Sequence, residues 1–92
     1  MKRYLVERTW PGGLEISIGE LGNRQLQEIV ANNAEDNVTW VHSYVNVEKT
    51  RWFCIYDAPS PEAIRRVAGK NNLPVDRITE VRVLDPYFFK FI

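Results

Sequence analysis

The chain has one cysteine and one histidine in 92 residues. Cys54 has no second thiol in the chain to bridge to, so packing alone must hold the fold, which suits a reducing compartment. His42 cannot form a two-histidine motif within one chain. H-E-x-x-H and C-x-x-C are both absent, as are the P-loop, G-x-G-x-x-G and G-x-S-x-G signatures. Twelve Lys and Arg against twelve Asp and Glu leave a formal net charge of zero. Without a basic field, neither nucleic acid nor a membrane surface is an expected partner. No apolar run approaches the roughly 18 residues of a membrane span. Met1-Lys2-Arg3-Tyr4 runs directly into charged sequence, so the expected location is the cytoplasm. What remains is an apolar content of 45%, enough for one domain with one core.

Tyr4 to Trp10 is short and β-prone, and Pro11-Gly12-Gly13 stops it by removing a ladder donor and permitting positive φ. Ser17-Ile18-Gly19-Glu20 has the S-x-x-E spacing of a helix start. A first helix from Glu20 to Asn33 follows, with the apolar stripe Ile18, Leu21, Leu26, Ile29 and Val30. Val38 to Val47 is almost wholly β-branched or aromatic. Glu48-Lys49-Thr50 links it to Arg51 to Tyr56, which predicts an antiparallel hairpin. Ser60-Pro61-Glu62 supplies an N-cap, an N1 proline and an acid for a second helix, whose buried stripe is Ala63, Ile64, Val67 and Ala68. Arg77 to Leu84 alternates as a fourth strand. Pro86 then separates a domain at residues 1–86 from an aromatic tail at 87–92.

The order βαββαβ predicts an α+β, ferredoxin-like fold: a four-stranded antiparallel sheet with two helices on one face. The other face would carry Leu5 and Ile78 together with the Trp40/His42/Tyr44 or Trp52/Cys54/Tyr56 set. That is more aromatic surface than an open sheet shows to water, so a homodimer of the dimeric α/β-barrel type, packed sheet to sheet around a cavity, is expected.

Chemistry is sought on that open face. Alternation places Leu5 and Glu7 there from strand one, Glu80 and Arg82 from strand four, and His42 and Tyr44 from strand two, with Val81 and Val83 turned to the helices. The phase of strand three depends on the hairpin loop, and a one-residue change exchanges Cys54 and Tyr56 with Phe53 and Ile55. Imidazole, carboxylate and thiolate are ordinary donors for Ni, Zn, Co or Cu. The same groups suit a pocket with one acid/base residue. The plainer alternatives are a hydrogen-bonded interface histidine, glutamates paired with arginines across strands, and a buried cysteine. An RNA-recognition module is excluded by its missing glycines and the zero net charge. Pro11-Gly12-Gly13-Leu14-Glu15 carries an acid and no nearby base, which makes it a poor phosphate cradle.

Several segments resemble a family of small bacterial nickel-binding proteins, formerly a domain of unknown function. They are Tyr4-Leu5-Val6-Glu7-Arg8, Pro11-Gly12-Gly13-Leu14, Trp40-Val41-His42-Ser43-Tyr44-Val45, Cys54 through Arg65, and Leu73-Pro74 through Val81. The resemblance implies a ferredoxin-like fold, a dimer with a barrel-like core and a nickel site. Glu7, His42, Tyr44, Cys54, Tyr56 and Glu80 all stand in matching segments. The polar first helix and the tail depart from the family pattern. The expected function is a non-enzymatic homodimer that binds Ni2+ or a similar divalent ion in its cavity for sequestration or delivery. The alternative is a dimeric α/β-barrel enzyme or binder of a small molecule, with His42 or Glu7 as acid/base and Trp40, Tyr44 and Trp52 gripping the ligand.

Overall fold

The structure is a computed structural model that describes residues 1–13, 20–87 and 90–91. Its elements are β1 (Lys2–Thr9), α1 (Glu20–Ala34), β2 (Thr39–Val45), β3 (Arg51–Ala58), α2 (Pro61–Lys70), β4 (Arg77–Val81), β5 (Leu84–Asp85) and β6 (Lys90–Phe91). The first four strands form one antiparallel sheet in the order β2-β3-β1-β4. Two helices over one face of this sheet are consistent with a ferredoxin-like fold. Of the expected S-x-x-E cap, residues 17–19 lie outside those described, and Glu20 is the first residue of α1.

Alternation along β1 sends Tyr4, Val6 and Arg8 to the helix side and leaves Arg3, Leu5 and Glu7 on the open side. Its partner β3 is in phase, with Trp52, Cys54, Tyr56 and Ala58 buried beneath the helices. From above, α2 contributes Ala63, Ile64, Val67 and Ala68. Ser60 adopts an extended backbone and its Oγ accepts from the Ala63 amide at 3.2 Å, satisfying one of the free donors at the start of α2. Both helices end in the same way. Asn37 and Asn72 have φ of 59° and 56°, and Val38 and Leu73 donate back to the Asn33 and Ala68 carbonyls at 3.0 and 2.9 Å. These are Schellman-type stops with asparagine in the left-handed position.

The turn after β1 needs its glycine. Gly13 has φ +83°, and a β-carbon there would lie 2.9 Å from the Glu48 carbonyl oxygen. The hairpin loop is also longer than expected, because β2 ends at Val45. Asn46 Oδ1 accepts from the amides of both Thr50 and Arg51 at 2.9 Å and diverts the backbone from the ladder.

Two expected strand phases are corrected, and the phase of the third strand, left open by the hairpin loop, is decided. Trp40 pairs with Tyr56 and His42 with Ile55, so Val41 is an extra, bulged residue and Trp40 faces the helices while His42 faces away. In β4, Ile78 pairs with Val6, Glu80 with Tyr4 and Val81 with Arg3. Ile78 and Glu80 therefore lie in the helix-side phase and Val81 on the open side, the reverse of the predicted arrangement. In β3, Cys54 and Tyr56 take the buried phase. The expected fourth strand stops at Val81, and the chain then turns into the β5–β6 pairing of Leu84 with Phe91 and Asp85 with Lys90. The rest of the expected tail, Phe88, Phe89 and Ile92, lies outside the described residues.

The candidate metal-binding face and the opposite side of the sheet

Cross-strand register arranges the open face in rows. Tyr44, Phe53, Glu7 and Arg77 form one; His42, Ile55, Leu5 and Thr79 form the next; Thr39, Asp57, Arg3 and Val81 form a third. Beyond the bulge at Val41, regular alternation keeps His42 and Tyr44 in one phase, and their rings meet edge to face at 5.1 Å and 84°. Both side chains are exposed, Tyr44 at 63%. Arg3 donates to both carboxylate oxygens of Asp57 at 2.8 and 3.0 Å. These bonds, ahead of simple charge attraction, hold the Asp57 carboxyl below the ordinary carboxylate range and the Arg3 guanidinium above its own. Glu7 receives Arg51 Nη2 at 3.4 Å, a loose pair.

Of the six predicted site residues, this face holds His42, Tyr44 and Glu7. Glu7 and Tyr44 stand in one row with Phe53 between them, about 10 Å apart at two strand spacings. Glu80, expected beside Glu7, lies on the other phase of β4 and meets Lys2 at 3.6 Å. Cys54 and Tyr56 are buried on the helix side at 2% and 3% exposure. Desolvation pushes the Tyr56 phenol up to about 12, so it stays protonated near neutral pH. Among the described residues, no group of three or more His, Cys, Asp or Glu converges within one chain. Among its described residues a single chain therefore offers on this face one exposed imidazole with a phenol beside it.

The acid/base alternative places His42 or Glu7 in one cavity with Trp40, Tyr44 and Trp52; Tyr44 shares their face, but the two indoles do not. The sheet lies between. Trp40 donates from Nε1 to Ser43 Oγ at 2.8 Å and packs against the core, and Trp52 is buried with its ring 5.0 Å from Trp10.

Sequence reasoning missed a residue on the helix side. Arg8 is 2% exposed and lies over the Tyr56 ring, 5.6 Å from its centroid. The signal was present in the alternation Tyr4-Val6-Arg8, which puts a guanidinium at a core position.

Comparisons with known proteins agree with this fold. The crystal structure of SCO4226 from Streptomyces coelicolor A3(2) is similar, with a TM-score of 0.69 at 20% identity, over 86% of this chain and 94% of that one. At that identity the likeness concerns the fold alone. No curated protein matches the chain. The model of a family described as "Nickel responsive protein SCO4226-like" matches residues 4–81, and with them every predicted site residue. With most of its sequence inside that match, the chain belongs to the SCO4226-like nickel responsive family.

Proposed function

We propose that the protein binds nickel, or a divalent ion of similar preference, between two copies packed open face to open face, and that it sequesters or delivers the ion without catalysing a reaction. The observation that carries this reading is the exposed His42–Tyr44 pair on the uncovered sheet face of a member of a nickel responsive family. Imidazole is a preferred donor for such ions, and carboxylate or phenolate oxygens complete a borderline set. One chain supplies the imidazole but no three-donor cluster among its described residues. A two-fold partner doubles the set and brings a second His42, Tyr44 and Glu7 to the same gap. Leu5, Phe53, Ile55 and Tyr44 share this face, and such packing would remove their apolar surface from water. Glu80, Cys54 and Tyr56 are outside this site.

The test is calorimetric titration of Ni2+ with light scattering in the same buffer. Nickel should bind at a fixed ratio per dimer, and more weakly on acidification, because donor atoms must shed protons to coordinate. His42→Ala should remove most tight binding and leave the fold intact. Unchanged nickel affinity in that variant would refute the assignment.

A further inference from the structure

The side of the sheet away from His42 contains a cavity of about 380 Å³ between α1 and the strands. Arg8, Trp52 and Tyr56 on the sheet line it, with Trp10, Trp40 and Leu26 among its other walls. Its volume is within the usual range for small-molecule sites. Its buried polar atoms without a partner are all of one kind. Arg8 is almost fully buried, yet its Nε and Nη1 have no hydrogen-bond partner among the described residues, and neither has Nε1 of the buried Trp52. All three are donors, and none can accept.

Burying a guanidinium without a counter-charge is costly, and a fold tolerates it where something else supplies the charge. The cavity's own residues do not supply it. Tyr56 offers Arg8 its aromatic face and a phenol oxygen that can accept a hydrogen bond, but the phenol remains protonated and brings no counter-charge. Glu7, the acid next in sequence, is on the opposite face, directed to Arg51. Glu28 also lines the cavity, but it is an exposed residue of α1.

We infer that this cavity binds a small organic monocarboxylate with a flat apolar body, its carboxylate accepting from Arg8 and Trp52 and its body lying among the indoles. The ligand must be acceptor-rich and anionic because every unsatisfied atom is a donor. Its body must be apolar where it meets Trp10, Trp40, Leu26 and Ile29; the polar wall residues Gln25, Glu28, Lys70 and Asn72 are exposed and leave the outer part of the cavity to solvent. The site is separate from the proposed metal face, and neither depends on the other.

The probes are 2-naphthoate, its neutral amide, decanoate and inorganic phosphate, each titrated calorimetrically into the full chain. Naphthoate should bind at one per chain and raise the melting temperature, with the amide at least about tenfold weaker, the scale of a lost charge-assisted hydrogen bond. Decanoate binding as tightly as naphthoate would overturn the flat-body assignment, and phosphate binding alone would overturn the organic ligand. Arg8→Met should abolish the preference for carboxylate over amide while leaving the ligand-free protein as stable or more so, as expected where a buried unpaired charge is removed. Should that variant fail to fold, the same experiment on Trp52→Phe, which keeps a ring and removes the donor, should weaken naphthoate about threefold or more and leave the amide unchanged. Equal affinity for naphthoate and the amide, no binding of either, or unchanged carboxylate affinity in the folded variants would overturn the inference.

Discussion

At the scale of single residues, the open face is organised by charge pairs whose energetics depend on pH. Asp57 is held below the ordinary carboxylate range, first by its hydrogen bonds from Arg3. The folded state therefore binds that proton less readily than the unfolded state. The stabilisation is complete above the unfolded value of about 4 and is lost as pH falls through the lower folded value. Asp57→Asn should cost about 0.5–1 kcal/mol at neutral pH, the scale of a partly exposed ion pair. The cost should shrink towards nothing by about pH 2. Urea denaturation of both proteins at the two pH values checks this, and a pH-independent cost would mean that packing rather than charge was lost. Asp36, paired with Lys70 and Arg66 at 2.9 and 3.1 Å, is shifted in the same direction and ties the end of α1 to α2. Neither pair was legible in the sequence, because each partner is some thirty or more positions away. Arg8 shows the reverse. Its place in the apolar phase of β1 could be read directly, but only the three-dimensional neighbourhood shows that no acid among the described residues pairs with its Nε and Nη1.

At the scale of elements, local chemistry decides the boundaries. Ser60-Pro61-Glu62 predicted the start of α2, and that helix begins there because serine, proline and an acid each answer a need of the first turn. Ser60→Ala should cost about 1 kcal/mol. In a domain of this size that is a fall of roughly 4–8 °C in melting temperature. Asn72→Gly should change stability by no more than a few tenths of a kcal/mol, whereas Asn72→Val should cost about 1–2 kcal/mol, because a β-branched residue resists the left-handed region that this stop requires. Thermal unfolding of the three variants checks both statements. Periodicity was less informative about which way strands face. One bulged residue at Val41 reverses the relation of Trp40 to His42, and the register of β4 against β1 decides that Glu80 does not join Glu7. Alternation fixes which residues share a face only where no bulge intervenes, and even then not which face it is, since both sets here are apolar enough to be buried.

For the whole molecule, the sheet has helices on one side and, on the other, Leu5, Phe53, Ile55 and Tyr44 with His42 beside them. Pairing through this face predicts that Ile55→Asp gives a folded monomer, with circular dichroism unchanged and the mass from light scattering halved relative to wild type. Wild-type protein running at 10.8 kDa at micromolar concentration would contradict the dimer. The order of elements, the hairpin, the caps of α2 and membership of the family all follow from the sequence, because they rest on neighbouring residues and on the alternation of apolar and polar positions. That Cys54 and Tyr56 are buried, that Glu7 and Glu80 are kept apart, and that Arg8 and Trp52 bring unpaired donors to one cavity was decided only by the tertiary structure. Each depends on strand register and a bulge, which are settled by packing between segments distant in the chain.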